Sequence, residues 1–197
     1  MAVGPIMPHK HRAQFFIDLT LSTNGAHTIK WHPPDRGKLK INVDGATGSK
    51  IIAAGVVVRD SEGSVLACYT FFDSNWEGVN AAQEAESQAF LKGLEVAQNF
   101  QGRSITIEGD SKEVVSYISN PTTTCPWRLR SIIEDCRTLL KRLDNSSLQF
   151  VRREGNCVTH ALAKTAISNR SCNVWMNSYP SCIAESVIRD KSFIVSF

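Results

Sequence analysis

The stretch Lys38-Leu39-Lys40-Ile41-Asn42-Val43-Asp44-Gly45-Ala46 decides the fold of this chain. Apolar residues at positions 39, 41 and 43 alternate with polar residues at positions 40, 42 and 44. This period of two is typical of a β-strand with one face buried. We expect the strand to end at Asp44, whose neighbour Gly45 favours a change in backbone direction.

Outward from this strand, the chain predicts the element order β-β-β-α-β-α-α-β-α without an internal repeat. The further predicted strands cover residues 55–60, 65–72, 104–109 and 148–152, and the predicted helices cover residues 81–100, 111–119, 126–143 and 156–168. A three-stranded start followed by alternating helices and strands indicates a mixed α/β sheet covered by helices. We expect a poorly ordered N-terminal extension at 1–30, one domain at 31–168 and a C-terminal extension at 169–197.

Length and composition exclude several classes of protein. The chain has 197 residues, of which 42% are hydrophobic and 21% charged, so it is neither disordered nor collagen-like. Its longest apolar run is far shorter than the roughly 18 residues that cross a bilayer. Its first 30 residues contain no continuous apolar stretch, so we expect no secretory leader. The six cysteines form no C-x-x-C pair, which favours reduced thiols without a disulfide-linked partner. We expect an intracellular monomer, in the nucleus or cytoplasm, with no membrane partner.

Charge is distributed unevenly along the chain, although the net charge is only +3. Residues 31–125 contain 8 basic and 12 acidic residues, whereas residues 126–153 contain 7 basic and 3 acidic residues. An acidic part beside a basic part is typical of a metal-dependent site next to a groove for a polyanion. Solvated helix faces carry such charges as well, and the distribution alone favours that simpler interpretation.

Two aspartates lie where mixed α/β sheets place ligand sites. Asp44 closes the first predicted strand before Gly45, and Asp110 follows Gly109 at the end of the fourth. Each aspartate could instead form a turn or cap a helix. For Asp110 alone, which precedes Ser111 and a helix, the cap is the better explanation.

Glu86 lies on the apolar face of the first predicted helix, with small or apolar residues at 82, 89, 90, 93 and 97. Glu84 instead shares a polar face with Gln88 and Glu95, which predicts a solvated stripe. A carboxylate on the packed face costs several kcal/mol unless a partner such as a metal ion compensates it. The alternative is a first-turn glutamate that the helix dipole stabilises and that still reaches water.

Four motifs in register resemble type 1 ribonucleases H. They are Ile41-Asn42-Val43-Asp44-Gly45-Ala46, the helix-borne Glu86 with Ala89, Gly93 and Leu94, the stretch Ile107-Glu108-Gly109-Asp110-Ser111, and Asn156-Cys157-Val158-Thr159-His160-Ala161-Leu162-Ala163-Lys164. The chain is most similar to plant RNase H-like domain proteins, which are often related to non-LTR retroelements. Their pattern is matched over Trp31 to Ala46, Val58 to Gly63 and Arg153 to Lys164, and Trp175, Pro180 and Asp190 resemble their C-terminal extension.

The resemblance implies an RNase H-like fold, with a five-stranded mixed sheet in the order 3-2-1-4-5, strand 2 antiparallel, and helices on both faces. It implies a nuclease with two Mg²⁺ ions, for which Mn²⁺ could substitute, that cleaves the RNA strand of an RNA–DNA hybrid. The implied catalytic residues and metal ligands are Asp44, Glu86, Asp110 and His160. Gly45, Gln83 and Ser111 match positions near the nucleic acid, although as lone residues they are ordinary loop and helix-start residues.

The second long helix adds a basic surface that we expect to contact phosphates. Its basic residues are Arg128, Arg130, Lys141 and Arg142, and Trp127 lies near its start, where a core position is the more common role.

His160 departs from the ribonuclease H pattern, in which active members commonly have aspartate at this position. A neutral imidazole binds divalent ions without contributing charge and prefers softer metals than Mg²⁺. His160 could also be a surface residue with no metal role. The loop at 152–155 lacks the mobile histidine that some members use. A catalytically silent module for binding nucleic acid or protein therefore remains the alternative to an active enzyme.

Overall fold

The structure is a computed structural model that describes residues 30–76 and 81–194. The predicted N-terminal extension, apart from Lys30, lies outside the described residues. The strands are β1 (Leu39–Gly48), β2 (Ile51–Arg59), β3 (Val65–Asp73), β4 (Ile105–Gly109), β5 (Ser146–Phe150) and β6 (Asn173–Met176). The helices are α1 (Ala81–Ala97), α2 (Lys112–Ser119), α3 (Arg130–Leu140), α4 (Cys157–Asn169) and α5 (Ala184–Ile194).

The strands form one mixed sheet in the order β5-β4-β1-β2-β3-β6. β2 runs antiparallel to both β1 and β3, whereas β1, β4 and β5 are parallel to one another. The predicted order 3-2-1-4-5 with an antiparallel second strand is therefore confirmed for the first five strands.

The prediction of five strands was wrong, because β6 extends the sheet to six. β6 pairs antiparallel with β3 and is only four residues long. So short a strand shows too little alternation to be recognised in a sequence, and its pairing depends on the exposed edge of β3.

Helices cover both faces of the sheet, as predicted. The alternating apolar residues of β1 pack with α1, α2 and α3 in one core cluster that includes Ile41, Phe90 and Ile133. On the other face, Val57 and Cys68 pack with Leu162 of α4 and Val187 of α5. Because the polar residues of β1 point toward α4 and α5, this second face carries a buried polar network around Asn42, and Asp44 contacts His160 of α4 there.

The second long helix is shorter than predicted. Residues 127–129 form a separate 3₁₀ turn, and Lys141 and Arg142 lie beyond the end of α3. Trp127 is 72% exposed, so it does not occupy the core position that its residue type favours. Its indole lies 5.0 Å from the guanidinium of Arg128.

Gly55 allows α4 to approach the sheet closely. A Cβ atom at this position would lie 2.6 Å from the carbonyl oxygen of Thr159 and 2.8 Å from the amide nitrogen of Ala163. Any larger residue would push α4, and with it His160, away from β1 and β2.

None of the helices within residues 30–76 and 81–194 combines the length and the apolar character that a bilayer span requires. All six cysteines are free thiols.

Candidate metal centre

Asp44 occupies the centre of the sheet, at the point where β1 and β4 separate. The expectation that Asp44 ends its strand was wrong, because β1 continues to Gly48 in its antiparallel pairing with β2. The parallel pairing with β4, however, stops at Asn42 opposite Glu108. Asp44 therefore projects, fully buried, into the space that opens beyond the last β1–β4 pair.

Glu86 reaches this space from α1 because Gly45 permits close contact between strand and helix. A Cβ atom on Gly45 would lie 2.5 Å from the carbonyl carbon of Ala85 and 2.6 Å from the amide nitrogen of Glu86. The Gly45 backbone also donates a hydrogen bond to the Glu86 carboxylate. Glycine at position 45 thus has a packing role that the D-G-A motif alone does not reveal.

Asp110 follows β4 and does not cap α2, so the alternative assignment for this residue was wrong. Ser111 is the cap, and its hydroxyl accepts a hydrogen bond from the Val114 amide at 3.4 Å. The preceding Gly109 lies against the ring of Phe90, where a Cβ atom would come within 2.7 Å. Asp110 is consequently held at the strand end with its carboxylate toward Asp44.

The three carboxylates form one group. Asp44, Glu86 and Asp110 each offer an oxygen, and these atoms lie within 4.8 Å of one another. Three buried oxygens of the group, Asp44 Oδ1, Glu86 Oε2 and Asp110 Oδ1, have no hydrogen-bond partner in the described part of the chain. Buried polar atoms are normally paired, so these oxygens are suited to bind a cation. Clustered hard oxygen donors fit a divalent ion such as Mg²⁺ or Mn²⁺.

Burial and mutual repulsion disfavour the ionised form of this group. Burial, followed by the nearby charges of Glu86 and Asp110, raises the pKa of Asp44 to about 9. Burial and the charge of Asp110 raise the pKa of Glu86 to about 8, although the hydrogen bond from Gly45 acts to lower this pKa. Because a metal ion requires ionised ligands, binding would release protons from these carboxyl groups.

Glu84 is not part of a solvated stripe as the sequence suggested. It is buried, and its carboxylate accepts a hydrogen bond from Trp76 Nε1 at 2.7 Å. The Trp76 indole comes from the loop after β3, a tertiary contact that helical periodicity cannot show.

His160 borders the carboxylate group without belonging to it. Its Nδ1 lies 2.8 Å from Asp44 Oδ2. The start of α4 is fixed next to β1 because Asn156 Nδ2 donates to the carbonyl oxygen of Val43 at 2.8 Å. Burial and the charge of Arg153 lower the pKa of His160, which favours the neutral ring. With Asp44 ionised, Nδ1–H donates to the carboxylate and Nε2 is left as an acceptor.

Arg153 is a residue of the site that sequence reasoning missed. Its Nη1 lies 3.3 Å from Asp110 Oδ2, and its Nη2 lies 2.9 Å from each ring nitrogen of His160. In the sequence it was one of seven basic residues in a basic segment and the first residue of a matched pattern, which assigned it no role in the site. Only the fold shows that the turn before α4 directs this guanidinium toward the acids.

The residues predicted to contact nucleic acid fall into two groups. Gly45 and Ser111 directly follow Asp44 and Asp110, and Gln83 lies one turn before Glu86 in α1, so these three surround the acids. The four basic residues are exposed but lie at opposite ends of α3. Arg128 and Arg130 precede or begin this helix, Lys141 and Arg142 follow it, and its 11 residues span about 16 Å.

The chain is similar to a known protein family and to several solved structures. A family model described as reverse transcriptase-like matches residues 42–166. None of the curated proteins matches the chain. Among solved structures, the chain is similar to RNase H1 of the halophilic archaeon Halobacterium salinarum, with a TM-score of 0.60 and 27% identity over 68% of this chain and 99% of that one.

Two further solved structures share the fold. The N-terminal RNase H domain of a Mycobacterium tuberculosis protein has a TM-score of 0.59 and 23% identity, covering 67% of this chain and 94% of that one. LC11-RNase H1 in complex with an RNA/DNA hybrid has a TM-score of 0.59 and 21% identity, covering 68% of this chain and 99% of that one.

Proposed function

The chain belongs to the reverse transcriptase-like family and has an RNase H-like fold, and from this premise we propose that it is a divalent-metal-dependent endonuclease acting on RNA–DNA hybrids. The observation that carries the proposal is the group of Asp44, Glu86 and Asp110, whose inner oxygens lack a partner among the described residues. The similar LC11-RNase H1 was solved with an RNA/DNA hybrid, which supports this substrate class. The RNA strand is the proposed target.

We propose that Asp44, Glu86 and Asp110 hold two Mg²⁺ ions, with Mn²⁺ as a substitute. When bound, the ions would supply the positive charge that activates water and stabilises the leaving oxygen. Asp44 is the central ligand because its carboxylate lies within 4.8 Å of oxygens of both other acids and also contacts His160. His160 orients Asp44 through Nδ1, and its Nε2 is the atom that could bind an ion.

The substrate would lie across the rim formed by Gly45, Gln83 and Ser111. These residues surround the acids, and backbone amides, side-chain amides and hydroxyls can contact the 2′-hydroxyl groups that distinguish RNA from DNA. Gly45 keeps α1, which carries Gln83, close to β1 at this rim, because a Cβ atom there would lie 2.5 Å from the carbonyl carbon of Ala85.

The basic residues around α3 predict a measurable dependence on salt. We expect each of Arg128, Arg130, Lys141 and Arg142 to contact one phosphate. A plot of the logarithm of hybrid affinity against the logarithm of salt concentration should then have a slope of about −0.9 per contact. The double variants Arg128→Glu/Arg130→Glu and Lys141→Glu/Arg142→Glu should each flatten this slope in fluorescence anisotropy titrations.

The positions of these residues make the salt experiment selective. Because the two pairs lie at opposite ends of α3, a change in only one variant would identify the end that contacts the substrate. Arg189→Glu on α5, on the other face of the sheet, serves as a control for a single charge reversal away from α3. Unchanged slopes in both double variants would assign these residues to a solvated surface.

A catalytically silent binding module is the second candidate function. The observation that favours it is the neutral His160 beside Asp44, where a fourth carboxylate would otherwise strengthen the attraction for cations. A silent module that binds nucleic acid differs from the enzyme only in cleavage, whereas a silent module that binds protein would not bind the hybrid.

Replacement of His160 tests these candidates directly. Wild type should cleave a labelled hybrid slowly and with a preference for Mn²⁺, which accepts nitrogen ligands more readily than Mg²⁺. His160→Asp should raise the Mg²⁺-dependent rate about tenfold or more, because it adds a negative charge next to the divalent ion. At an effective dielectric constant of about 20, this attraction is worth several kcal/mol before the cost of desolvation is subtracted. His160→Ala should be slower than His160→Asp.

Two results would revise this assignment. Equal rates of wild type and both variants at low Mg²⁺ would show that position 160 takes no part in the reaction. An inactive wild type that His160→Asp restores to activity would favour the silent module.

We propose that the chain is related to plant RNase H-like domains of retroelement origin. The proposal rests on the shared sequence pattern that includes Trp31, Asn42 and Arg59. These three matched residues contact one another, since Trp31 Nε1 and Arg59 Nη2 both donate to Asn42 Oδ1 at 2.9 Å. The pattern therefore describes a physical unit of the fold. A phylogeny built on this unit, with other RNase H-like sequences as outgroup, would test the relationship.

A further inference from the structure

Arg153 contacts side-chain atoms that a metal ion would need as ligands. Its guanidinium contacts Asp110 Oδ2 through Nη1 and the His160 ring through Nη2. Asp110 and His160 are two of the four proposed ligands. A cation of the protein thus lies against the same group that a divalent ion would occupy.

The backbone that carries Arg153 is fixed, whereas its side chain is exposed. Arg153 begins a 3₁₀ turn in which its carbonyl oxygen accepts from the Asn156 amide at 2.9 Å. Gly155 in the same turn is buried against Val151 and Lys30. The Arg153 side chain is 58% exposed, against 9% for that of Asp110. The guanidinium can therefore leave for water at little cost, while Asp110 stays in place.

Its positive charge offsets repulsion among the acids. The charge of Arg153 acts to lower the pKa of both Asp44 and Glu86, against the larger raising effect of burial. The ion pairs of the described residues include no other basic side chain that pairs with Glu86 or Asp110. Arg153 is thus the cation available to this group when the divalent ion is absent.

We propose that Arg153 is the resident counter-cation of the acid group and competes with the divalent ion for it. The inference rests on the proposed metal site, but it makes a separate statement about affinity. Arg153 stabilises the metal-free protein, and its guanidinium must release Asp110 and His160 Nε2 before both can become ligands. The residue therefore sets the concentration of metal at which the site fills.

The competition predicts that loss of the charge changes metal binding and metal-free stability in opposite directions. Arg153→Gln should bind Mn²⁺ about five- to tenfold more tightly than wild type in isothermal titration calorimetry at pH 7.5, because the competing cation is gone. Its melting temperature in EDTA should be lower than that of wild type. Arg153→Lys should stay near wild type in affinity, because it keeps the charge.

Arg152→Gln is the matched control, since Arg152 is the exposed neighbour and forms no ion pair within the described residues. It should change neither quantity. Equal Mn²⁺ affinity in Arg153→Gln and wild type would overturn the proposal, and weaker affinity would show that Arg153 positions Asp110 for the metal. Absence of Mn²⁺ binding in wild type and Arg153→Gln alike would instead reject the metal site, and with it the proposed function.

Discussion

Replacement of Asp44 by asparagine is expected to lower the rate of hybrid cleavage by about 10³-fold or more without unfolding the protein. Asp44 is fully buried, lies within 4.8 Å of the oxygens of Glu86 and Asp110, and contacts His160. Asparagine has nearly the same shape and can keep the contact with His160, but it removes the charge on which the proposed metal site depends. A transition-state loss of about 4 kcal/mol corresponds to this factor.

The same variant should be at least as stable as wild type in EDTA. In the metal-free protein, burial and the neighbouring acids raise the pKa of Asp44, so its ionised form is a cost that asparagine does not carry. Thermal unfolding with and without Mn²⁺ measures both effects, and the stabilisation by Mn²⁺ should be lost. Asp135→Asn, the same chemical change on the exposed surface of α3, should behave as wild type.

Cleavage that survives Asp44→Asn would contradict the assignment, provided that a mock purification without the protein shows no contaminating nuclease. A variant that is inactive but also unfolded would not test catalysis, which is why Glu86→Gln is the companion variant. Glu86 lies at the rim of the group, and its replacement should also abolish cleavage while the β1 packing stays intact.

The acids were predictable because each has a local feature in the sequence. Asp44 and Asp110 stand beside glycines at the ends of apolar runs, and Glu86 interrupts an apolar helix face. These features reflect requirements of the backbone, since Gly45 and Gly109 leave space that α1 and Phe90 fill. The local patterns singled out the three acids but left turns and caps open as explanations, and the resemblance to type 1 ribonucleases H grouped the acids in one site.

Contacts of long side chains were not predictable in this way. Arg153 contacts Asp110, which lies 43 positions before it in the chain. Glu84 contacts Trp76, which lies 8 positions before it. Both contacts depend on the conformation of a loop. β6 and α5 have a similar origin, because each is stabilised mainly by tertiary contact with the domain. Periodicity describes which face of an element is apolar, but it does not identify the partner of an exposed or polar side chain.

The largest effect on stability is expected in the buried polar network around Arg59, on the face of the sheet that α4 and α5 cover. Arg59 is almost fully buried, and its Nη1 lies 2.7 Å from Asp190 Oδ2 of α5. Its guanidinium also stacks on the ring of Trp31 at 3.6 Å and donates to Asn42. Asn42 in turn donates to Glu108 at 3.1 Å, so the network joins α5 to the strands that carry Asp44 and Asp110.

Asp190→Ala should therefore lower the free energy of unfolding by about 3–5 kcal/mol, because it leaves the buried Arg59 charge without its acid. Urea unfolding followed by circular dichroism measures this loss. Glu185→Ala, which removes an exposed acid from the same helix, should cost less than about 1 kcal/mol.

A double variant separates the charge from the packing. Arg59→Met with Asp190→Leu removes both charges and keeps apolar volume, so it should recover much of the stability that Asp190→Ala loses. If Asp190→Ala instead costs less than 1 kcal/mol, α5 does not hold Arg59 in solution. The docking of the C-terminal helix would then contribute little to the domain, and the network around Asn42 would depend on Trp31 and Glu108 alone.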